Sequence, residues 1–259
     1  MDFDLANVAV PFRMQPGLRK LAPGERQLTR LQPGSALYEE KLAVWRAGQS
    51  RHAAPGYDPA PALAAIARHE PFDEPLELAF EEDFAVLDGA AGRLLWLCVC
   101  VPSHWAPEDK VGLPLAAVHA PVADNALLLA ASQQLAQLVT GADAYERFVW
   151  TVTPSGRYDQ HPRRHVREPW PVALDDETFA ARCFLRAERQ TFIPIGDGSR
   201  QAVFTIRVML QPLAEAAATA EDARRLHDSI ASMSPAVLEY KSLAGGREPL
   251  LRWLAKRSA

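Results

Sequence analysis

The sequence predicts a mixed α+β protein built on a five-stranded antiparallel sheet, with helices on one side of the sheet. Strand-like patterns follow one another directly, two before a helical stretch and three after it. Strands and helices therefore do not alternate as they do in a doubly wound parallel sheet. Two turn signals, at 88–89 and 196–198, join successive strands as hairpins do, which favours antiparallel pairing.

The composition is that of a folded chain and excludes two classes of partner. Of 259 residues, 48% are hydrophobic and 23% are charged, and 28 Lys and Arg against 32 Asp and Glu give a net charge of 28 − 32 = −4. Without a basic excess, no nucleic-acid partner is expected. The longest apolar run, 94–102, is far shorter than the roughly 18 to 20 residues that span a bilayer, so no membrane partner is expected either.

The cysteines and the first residues predict a cytoplasmic protein. Residues 1–5 are acidic and lack the cationic and apolar segments of a secretion signal. Cys98 and Cys100 fall on opposite faces of a predicted strand, and Cys183 stands alone. With no Cys-x-x-Cys, a structural zinc or iron–sulfur site within this chain is not expected.

In the first half of the chain, the elements begin with a turn-rich arm. The patterns predict a wrapping arm over 1–35, helices over 35–47 and 60–68, and a hairpin of strands at 76–80 and 94–101. Tyr38, Leu42 and Trp45 recur at helical spacing behind Ser35, which can cap the first helix. The strand at 76–80 rests on the alternation of Leu76, Leu78 and Phe80.

The second half predicts the helical insertion, three strands and a helical C-terminus. The order is a helical region over 107–119, a helix over 125–139 capped by Asp124, strands at 147–153, 179–193 and 202–210, and helices at 213–233, 236–243 and 249–256. We expect one compact unit with three parts. They are an N-terminal arm with its helices over 1–70, a core over 71–213 and a C-terminal helical extension over 214–259.

Charged residues interrupt one predicted strand, at 186–191. Period 2 places Arg186, Glu188 and Gln190 on one face, with Arg189 on the other. This polar stripe is either a solvent-facing surface or the lining of a cavity. In a cavity, Glu188 would accept a hydrogen bond from an amine and Arg186 would polarise a bound anion or oxygen species.

Two histidines are candidate metal or haem-iron ligands. His119 ends an apolar helical segment directly before Ala120-Pro121, and His104 lies in a loop beside Trp105. For each, the alternative is an ordinary hydrogen-bonded or packed histidine.

A basic, proline-rich loop covers 154–171 and contains His161, His165, Arg163, Arg164 and Arg167. It is either solvated surface or a site for an anionic group such as a carboxylate. The chain has no phosphate-binding glycine loop, nucleophile elbow or His-Glu-x-x-His motif. From the residues alone, the prediction ends at a soluble protein with a polar cavity.

Several motifs resemble one known family. They are Pro102-Ser-His-Trp105, Glu108-Asp-Lys-Val-Gly112, Val118-His-Ala-Pro-Val122, Leu185-Arg-Ala-Glu-Arg-Gln-Thr191, Phe204-Thr-Ile-Arg207 and Leu238-Glu-Tyr-Lys241. With shorter matches near residues 10–18 and 212–213, they are similar to the haem-dependent oxidative N-demethylase α-subunit family across nearly the whole chain. The block at 185–191 is the most specific. The sequence departs from the usual family pattern at Pro194, at 208–210 and at Val149.

The resemblance implies a PAS-like core, in which five antiparallel strands carry helices between strands 2 and 3. It also implies a haem-dependent monooxygenase that demethylates a small secondary amine such as dimethylamine with O2. The cofactor would be haem b, with electrons from a separate reductase that contains flavin and an iron–sulfur centre. Two alternatives stay open: a PAS-like haem-binding or gas-sensing protein without turnover, and a paralogue that binds no haem.

The resemblance also assigns roles to individual residues. His119 would be the proximal haem ligand, with His104 as the competing ligand. Glu188 would hold the protonated amine, and Arg186 would stabilise negative charge that grows on the oxygen. Further cofactor contacts are expected from Arg189, Arg163, Arg164 and His104.

Overall fold

The computed structural model describes residues 3–14, 17–120, 123, 126–196 and 198–258. Within these ranges, one antiparallel sheet contains β1 (Arg19–Lys20), β2 (Arg51–Ala53), β3 (Glu82–Asp88), β4 (Arg93–Cys98), β5 (Tyr145–Thr153), β6 (Phe184–Pro194) and β7 (Gln201–Pro212). Its strand order is β1-β5-β6-β7-β3-β4-β2. All six neighbouring pairs are antiparallel.

The prediction of five strands is corrected to seven in the described part of the chain. Strands β4 to β7 are four of the five that the sequence predicted, and β3 takes the place of the strand predicted at 76–80. The antiparallel pairing is confirmed. The additional strands lie at the two edges and have only two and three residues. Segments of that length are too short to show a period-2 pattern, so their sequence carries no strand signal.

The helices of the described residues precede, interrupt and follow the sheet. They are α1 (Ala36–Arg46), α2 (Ala60–His69), α3 (Leu76–Ala79), α4 (Leu115–His119), α5 (Ala126–Val139), α6 (Asp176–Ala181), α7 (Leu213–Ala216), α8 (Ala220–Ala231), α9 (Pro235–Tyr240) and α10 (Arg247–Arg257). Short 3₁₀ turns cover Leu5–Asn7, Pro107–Asp109 and Ala244–Gly246. Helices α4 and α5 separate the second and third of the five predicted strands, as expected.

The predicted strand at 76–80 is wrong, because residues 76–79 form α3. Leu76, Ala79 and Phe80 are buried at the i, i+3 and i+4 spacing of a helical turn. Strand β3 begins at residue 82 with two acidic residues, a type that is usually exposed. Both are buried and paired: Glu82 accepts a hydrogen bond from Thr29 N at 2.9 Å, and Asp83 accepts one from Val101 N at 2.8 Å.

Three other boundaries differ from the prediction for reasons of helix capping and turn geometry. The strand predicted from 179 begins at Phe184, because Asp175 caps α6 by accepting from two backbone N–H groups. The helix predicted over 213–233 is two helices, since Thr219 caps a new one. The helical region over 107–119 is a 3₁₀ turn and a separate α4.

Two capping and turn predictions have different outcomes. Ser35 caps α1 by accepting from Tyr38 N at 3.1 Å, which confirms that prediction. Asp124, the predicted cap of α5, lies outside the described residues, as does Asp197 in the predicted turn between β6 and β7. Gly196 and Gly198 on either side of Asp197 both have a φ of +81°, a conformation that glycine adopts freely.

The helices cover both faces of the sheet, so the prediction that they lie on one side is wrong. On one face, Phe84 and Val86 of β3 pack with Ile66 of α2. On the other face, which we call the inner face, Ala85 and Leu87 pack with α5. Because β3 is apolar at both sets of alternate positions, both faces must be covered. No helix among the described residues is long and apolar enough to cross a membrane.

Candidate active site

A cavity of about 820 Å³ lies against the inner face of the sheet. Its walls come from β3 to β7, from α4 and from the segments around residues 103–110 and 239–245. Much of the lining is apolar, including Leu87, Leu94, Leu97, Phe192 and Phe204. Cavities of this size and character are typical of sites for cofactors and small molecules.

The polar stripe of β6 faces this cavity rather than bulk solvent. Arg186, Glu188 and Gln190 all line it, as their alternation predicts. The antiparallel register pairs Val149 with Glu188 and Arg147 with Gln190, so the neighbouring strand β5 contributes to the same wall. Arg186 is only 2% exposed, which marks it as an interior charge and not a surface one.

Glu188 is held on two sides by hydrogen-bond donors. Ser103 Oγ donates to Glu188 Oε1, and Gln190 Nε2 donates to Glu188 Oε2 at 2.7 Å. Arg186 Nε in turn donates to Ser103 Oγ at 2.8 Å. The carboxylate is therefore fixed in orientation, with a cation one hydroxyl group away.

Arg186 also ties the loop around Ser103 to the sheet. Its terminal nitrogens donate to Val101 O at 3.1 Å and to Arg157 O at 3.2 Å. Burial lowers the pKa of Arg186, and Glu188 acts in the opposite direction by favouring the charged form. The residue thus positions Ser103 and places positive charge beside Glu188.

His119 has its imidazole fixed in one tautomer by a hydrogen bond within α4. Its Nδ1 lies 2.8 Å from Leu115 O within α4, and a carbonyl only accepts, so Nδ1 carries the proton and Nε2 carries the lone pair. Burial lowers the pKa of the His119 imidazole, which favours the neutral, ligating form. Ligating histidines characteristically donate their second N–H in this way.

His104 lines the same cavity and is also neutral. Burial, then the charges of Arg167 and Arg186, lower the pKa of His104 to about 4. Its backbone has a φ of +60°, which is uncommon outside glycine and concentrates at functional sites. Both candidate histidines therefore meet the chemical requirement for a ligand.

Arg189 points away from the cavity. It lies on the opposite face of β6, where its Nε donates to Glu146 Oε2 at 2.7 Å. Its guanidinium is thus committed to a buried carboxylate, and this placement does not favour the cofactor contact predicted for it.

Arg163 and Arg164 are also committed to carboxylates outside the cavity. Arg163 pairs with Glu108 and Asp109, and Arg164 pairs with Asp159 and donates to Cys100 O at 2.8 Å. These contacts join the basic loop to the segment that carries the candidate site. Their placement indicates a fastening role rather than the predicted contact with a cofactor.

Two cations on the cavity wall were not predicted. Arg147 of β5 lines the cavity, as does Lys241 beyond α9, whose Nζ donates to Trp150 O at 2.6 Å. Burial lowers the pKa of Lys241 to about 8, with a further lowering by Arg147 and an opposing effect of Glu188. Arg147 alternates with Val149 on β5, but only the pairing of β5 with β6 places it opposite Gln190.

The described residues include no group of three or more His, Cys, Asp or Glu side chains arranged to hold a metal ion. The fold and cavity define a mixed α/β protein with a largely apolar cavity, whose lining includes a neutral imidazole from a helix and a fixed carboxylate from the sheet. These features are those of a site for a cofactor or a small molecule.

A comparison with protein families gives the class its name. Residues 62–251 match the model described as haem-dependent oxidative N-demethylase, alpha subunit-like. Because the match covers well over half of the chain, the protein belongs to this family, and the resemblance predicted from the sequence is confirmed. The family description points to an oxidoreductase that depends on haem and to a partner subunit.

Proposed function

We propose that this chain is the catalytic subunit of a haem-dependent oxidative N-demethylase that acts on a small secondary amine such as dimethylamine, with O2 as oxidant. The observation that carries the proposal is a carboxylate, Glu188, fixed by two donors in the same apolar cavity as the neutral imidazole of His119. Strands β3 to β7 with the inserted α4 and α5 are the PAS-like core of this proposal.

The residues of the cavity fit haem b. The volume of about 820 Å³ and the leucine and phenylalanine walls suit a large planar macrocycle. His119 would supply a nitrogen ligand to the iron, and the cationic side chains of the lining suit the carboxylates of the porphyrin. When bound, the haem supplies the redox-active iron that reacts with O2.

His119 is the proposed iron ligand. The hydrogen bond from Nδ1 to Leu115 O fixes the ring, and Nε2 is the nitrogen that would bind the iron. His104 follows Ser103, which donates to Glu188, so His104 belongs to the polar end of the cavity. It remains the competing ligand, and His119→Ala and His104→Ala variants decide between the two.

Glu188 binds the substrate. A small secondary amine is protonated near neutral pH, and its N–H groups form charge-assisted hydrogen bonds with a carboxylate. Ser103 and Gln190 each use part of the acceptor capacity of this carboxylate and hold it in one orientation. Glu188 thereby fixes the position of the methyl group in the cavity.

Arg186 acts at the same end of the cavity through Ser103. It keeps the hydroxyl aimed at Glu188, and its charge stabilises negative charge that develops on oxygen during the reaction. The chain carries no flavin or nicotinamide motif, so a separate flavin and iron–sulfur reductase is proposed as the electron donor. A cytoplasmic location, supported by three free buried cysteines, completes the proposal.

The test is turnover of dimethylamine by the haem-loaded protein with an added reductase. For each O2 consumed, two electrons and two protons enter, and methylamine, formaldehyde and water leave. We expect amine-dependent O2 uptake matched by equal formaldehyde release. Haem binding without amine-dependent formaldehyde would support the non-catalytic alternative, and a chain that takes up no haem would be the paralogue without cofactor.

A further inference from the structure

Arg147 is a cation of the cavity wall that makes no hydrogen bond or ion pair with the described residues. Its Nε is shielded from solvent and makes no hydrogen bond, and no ion pair involves its guanidinium in the described chain. Burial lowers its pKa, although an arginine stays charged in a protein. Arg147 is half-buried, and Glu188 on the same wall favours its charged form without an ion pair to it. A partly desolvated guanidinium that lacks a hydrogen-bonded acid favours a ligand that supplies one.

On the opposite face of the same strands, two arginines are paired with a buried acid. Arg189 and Arg19 share the buried carboxylate of Glu146, which is the sequence neighbour of Arg147. Adjacent residues of β5 lie on opposite faces of the sheet. The carboxylate of Glu146 therefore lies on the outer face, opposite the inner face, while Arg147 points into the cavity. The sheet thus pairs its outer arginines with an internal acid, whereas Glu188 on the inner face favours the charged form of Arg147 without an ion pair to it.

The cavity lining carries more positive than negative side chains. Its described cations are Lys110, Arg147, Arg167, Arg186 and Lys241, against the acids Glu168, Glu188 and Glu239. Three of the other cations donate to protein oxygens: Arg167 to Ser242 Oγ, Arg186 to Ser103 Oγ and Lys241 to Trp150 O. The excess of positive charge favours an anionic occupant, and Arg147 is the cation best placed to meet it.

We propose that Arg147 is the counter-ion of a haem propionate and so sets the affinity and orientation of the cofactor. This inference rests on the proposed function, because it takes haem as the occupant. A guanidinium binds a carboxylate through two parallel N–H···O bonds, so this pair would orient the cofactor as well as balance its charge. Arg147 would then be a cofactor-binding residue that does not touch the amine.

The test compares haem with its dimethyl ester, which lacks the two carboxylates. Each is titrated into the apoprotein, and its dissociation constant is measured from the Soret absorption. We expect wild type to bind haem more tightly than the ester. We expect Arg147→Gln to weaken haem binding by about 10- to 100-fold and ester binding by less than about threefold. Arg147→Lys should recover part of the loss.

Arg189→Gln is the matched control on the opposite face of the sheet. It should leave the ratio of haem to ester affinity unchanged. Stability of the apoprotein supplies a second readout, because removal of a half-buried cation that makes no hydrogen bond or ion pair should leave the melting temperature of Arg147→Gln equal to or above that of wild type. A clear fall in that temperature would contradict the view that the guanidinium lacks a protein partner.

The possible outcomes separate the role of Arg147 from haem binding itself. If wild type binds haem and its ester equally well, the inference about Arg147 is overturned while haem binding stands, and this comparison needs no variant. Equal weakening of both ligands by Arg147→Gln would overturn it as well. If wild type binds neither porphyrin, the proposed function fails and the inference fails with it.

Discussion

At the scale of single residues, the acidic side chains of this protein differ by their partners rather than by their type. Glu188 is held by Ser103 and Gln190 and keeps acceptor capacity for a ligand. Glu77 accepts hydrogen bonds from the side chains of Arg51 and Ser50. Glu82 is buried and accepts a hydrogen bond from the backbone N–H of Thr29. These three environments predict three different consequences of the same substitution, Glu to Gln.

For Glu188→Gln, we expect loss of amine binding with the cofactor site intact. The neutral amide keeps an acceptor oxygen but lacks the negative charge that attracts a protonated amine, so kcat/KM for dimethylamine should fall by about 10- to 100-fold, chiefly through a higher KM. Steady-state formaldehyde release measures this effect, and the haem spectrum should match that of wild type. Unchanged kcat/KM would remove Glu188 from the substrate site.

For Glu82→Gln, we expect a gain in stability that depends on pH. Burial raises the pKa of Glu82 to about 6, from about 4.5 in the unfolded chain. Between these values the folded state binds the extra proton, so stability falls as pH rises from 4.5 to 6 and stays lower above it. The variant lacks this penalty and should be more stable by roughly 1 to 2 kcal/mol at pH 7, with no gain below pH 4.5.

Glu77→Gln is the matched comparison and should show the opposite sign. Hydrogen bonds from Arg51 and Ser50 outweigh burial and lower the pKa of Glu77. Its contribution is therefore present above the unfolded pKa and is lost as pH falls, so the variant should be less stable than wild type at pH 7. Urea unfolding of both variants from pH 4 to pH 8 measures the two trends. Parallel curves for the two would refute the assignment.

At the scale of elements, the cavity depends on a fastening between two loops, by which we mean the hydrogen bonds and ion pairs centred on Asp159 and Arg164. Asp159 accepts from Arg164 Nε at 2.8 Å, from His165 Nε2 at 3.0 Å and from His161 N at 2.9 Å. Arg164 continues to Cys100 O, just before the segment that carries Ser103 and His104. Loop geometry far from the reacting groups thus sets where Glu188 finds its donor.

For Asp159→Ala, we expect both stability and site geometry to suffer. Removal of a buried carboxylate leaves the Arg164 guanidinium without its ion pair, at a cost of about 2 to 4 kcal/mol in the free energy of unfolding. Haem affinity should fall as well, because the loop lines the cavity. Asp159→Asn, which retains some of the acceptors, should lie between wild type and Asp159→Ala in thermal unfolding. Wild-type stability of Asp159→Ala would show that the fastening is dispensable.

The elements also show how far the sequence predicts this fold. Long, regular patterns such as those of α1, α2 and β7 were predicted to within about two residues, because local spacing determines them. The segment at 76–80 was not, because its apolar alternation fits a helical turn equally well. Strands β1 and β2 depend on pairing with β5 and β4, which no local pattern encodes.

The part of the site that lies on one strand, and two histidines of the cavity lining, were predicted from the sequence. Period 2 placed Arg186, Glu188 and Gln190 together, and local sequence singled out His119 and His104, to which the resemblance then gave the role of haem ligand. Arg147 and Lys241 escaped prediction because they reach the cavity through the pairing of β5 with β6 and through the C-terminal segment. Their roles depend on long-range contacts that a single sequence does not reveal.

At the scale of the whole molecule, a chain with a net charge of −4 concentrates positive charge inside its cavity. Such an interior destabilises the empty protein and favours an anionic cofactor. For wild type, we expect haem at about 100 times its dissociation constant to stabilise the fold by about 2.7 kcal/mol. Thermal unfolding with and without haem measures this, and an unchanged melting temperature at saturation would show that the cavity does not bind it.

Haem binding through His119 is tested by the absorption spectrum of the apoprotein titrated with haem, for wild type, His119→Ala and His104→Ala. We predict a saturable Soret band for wild type and His104→Ala, with an altered spectrum and weaker binding for His119→Ala that added imidazole restores. Full haem occupancy and an unchanged spectrum in His119→Ala would contradict the claim.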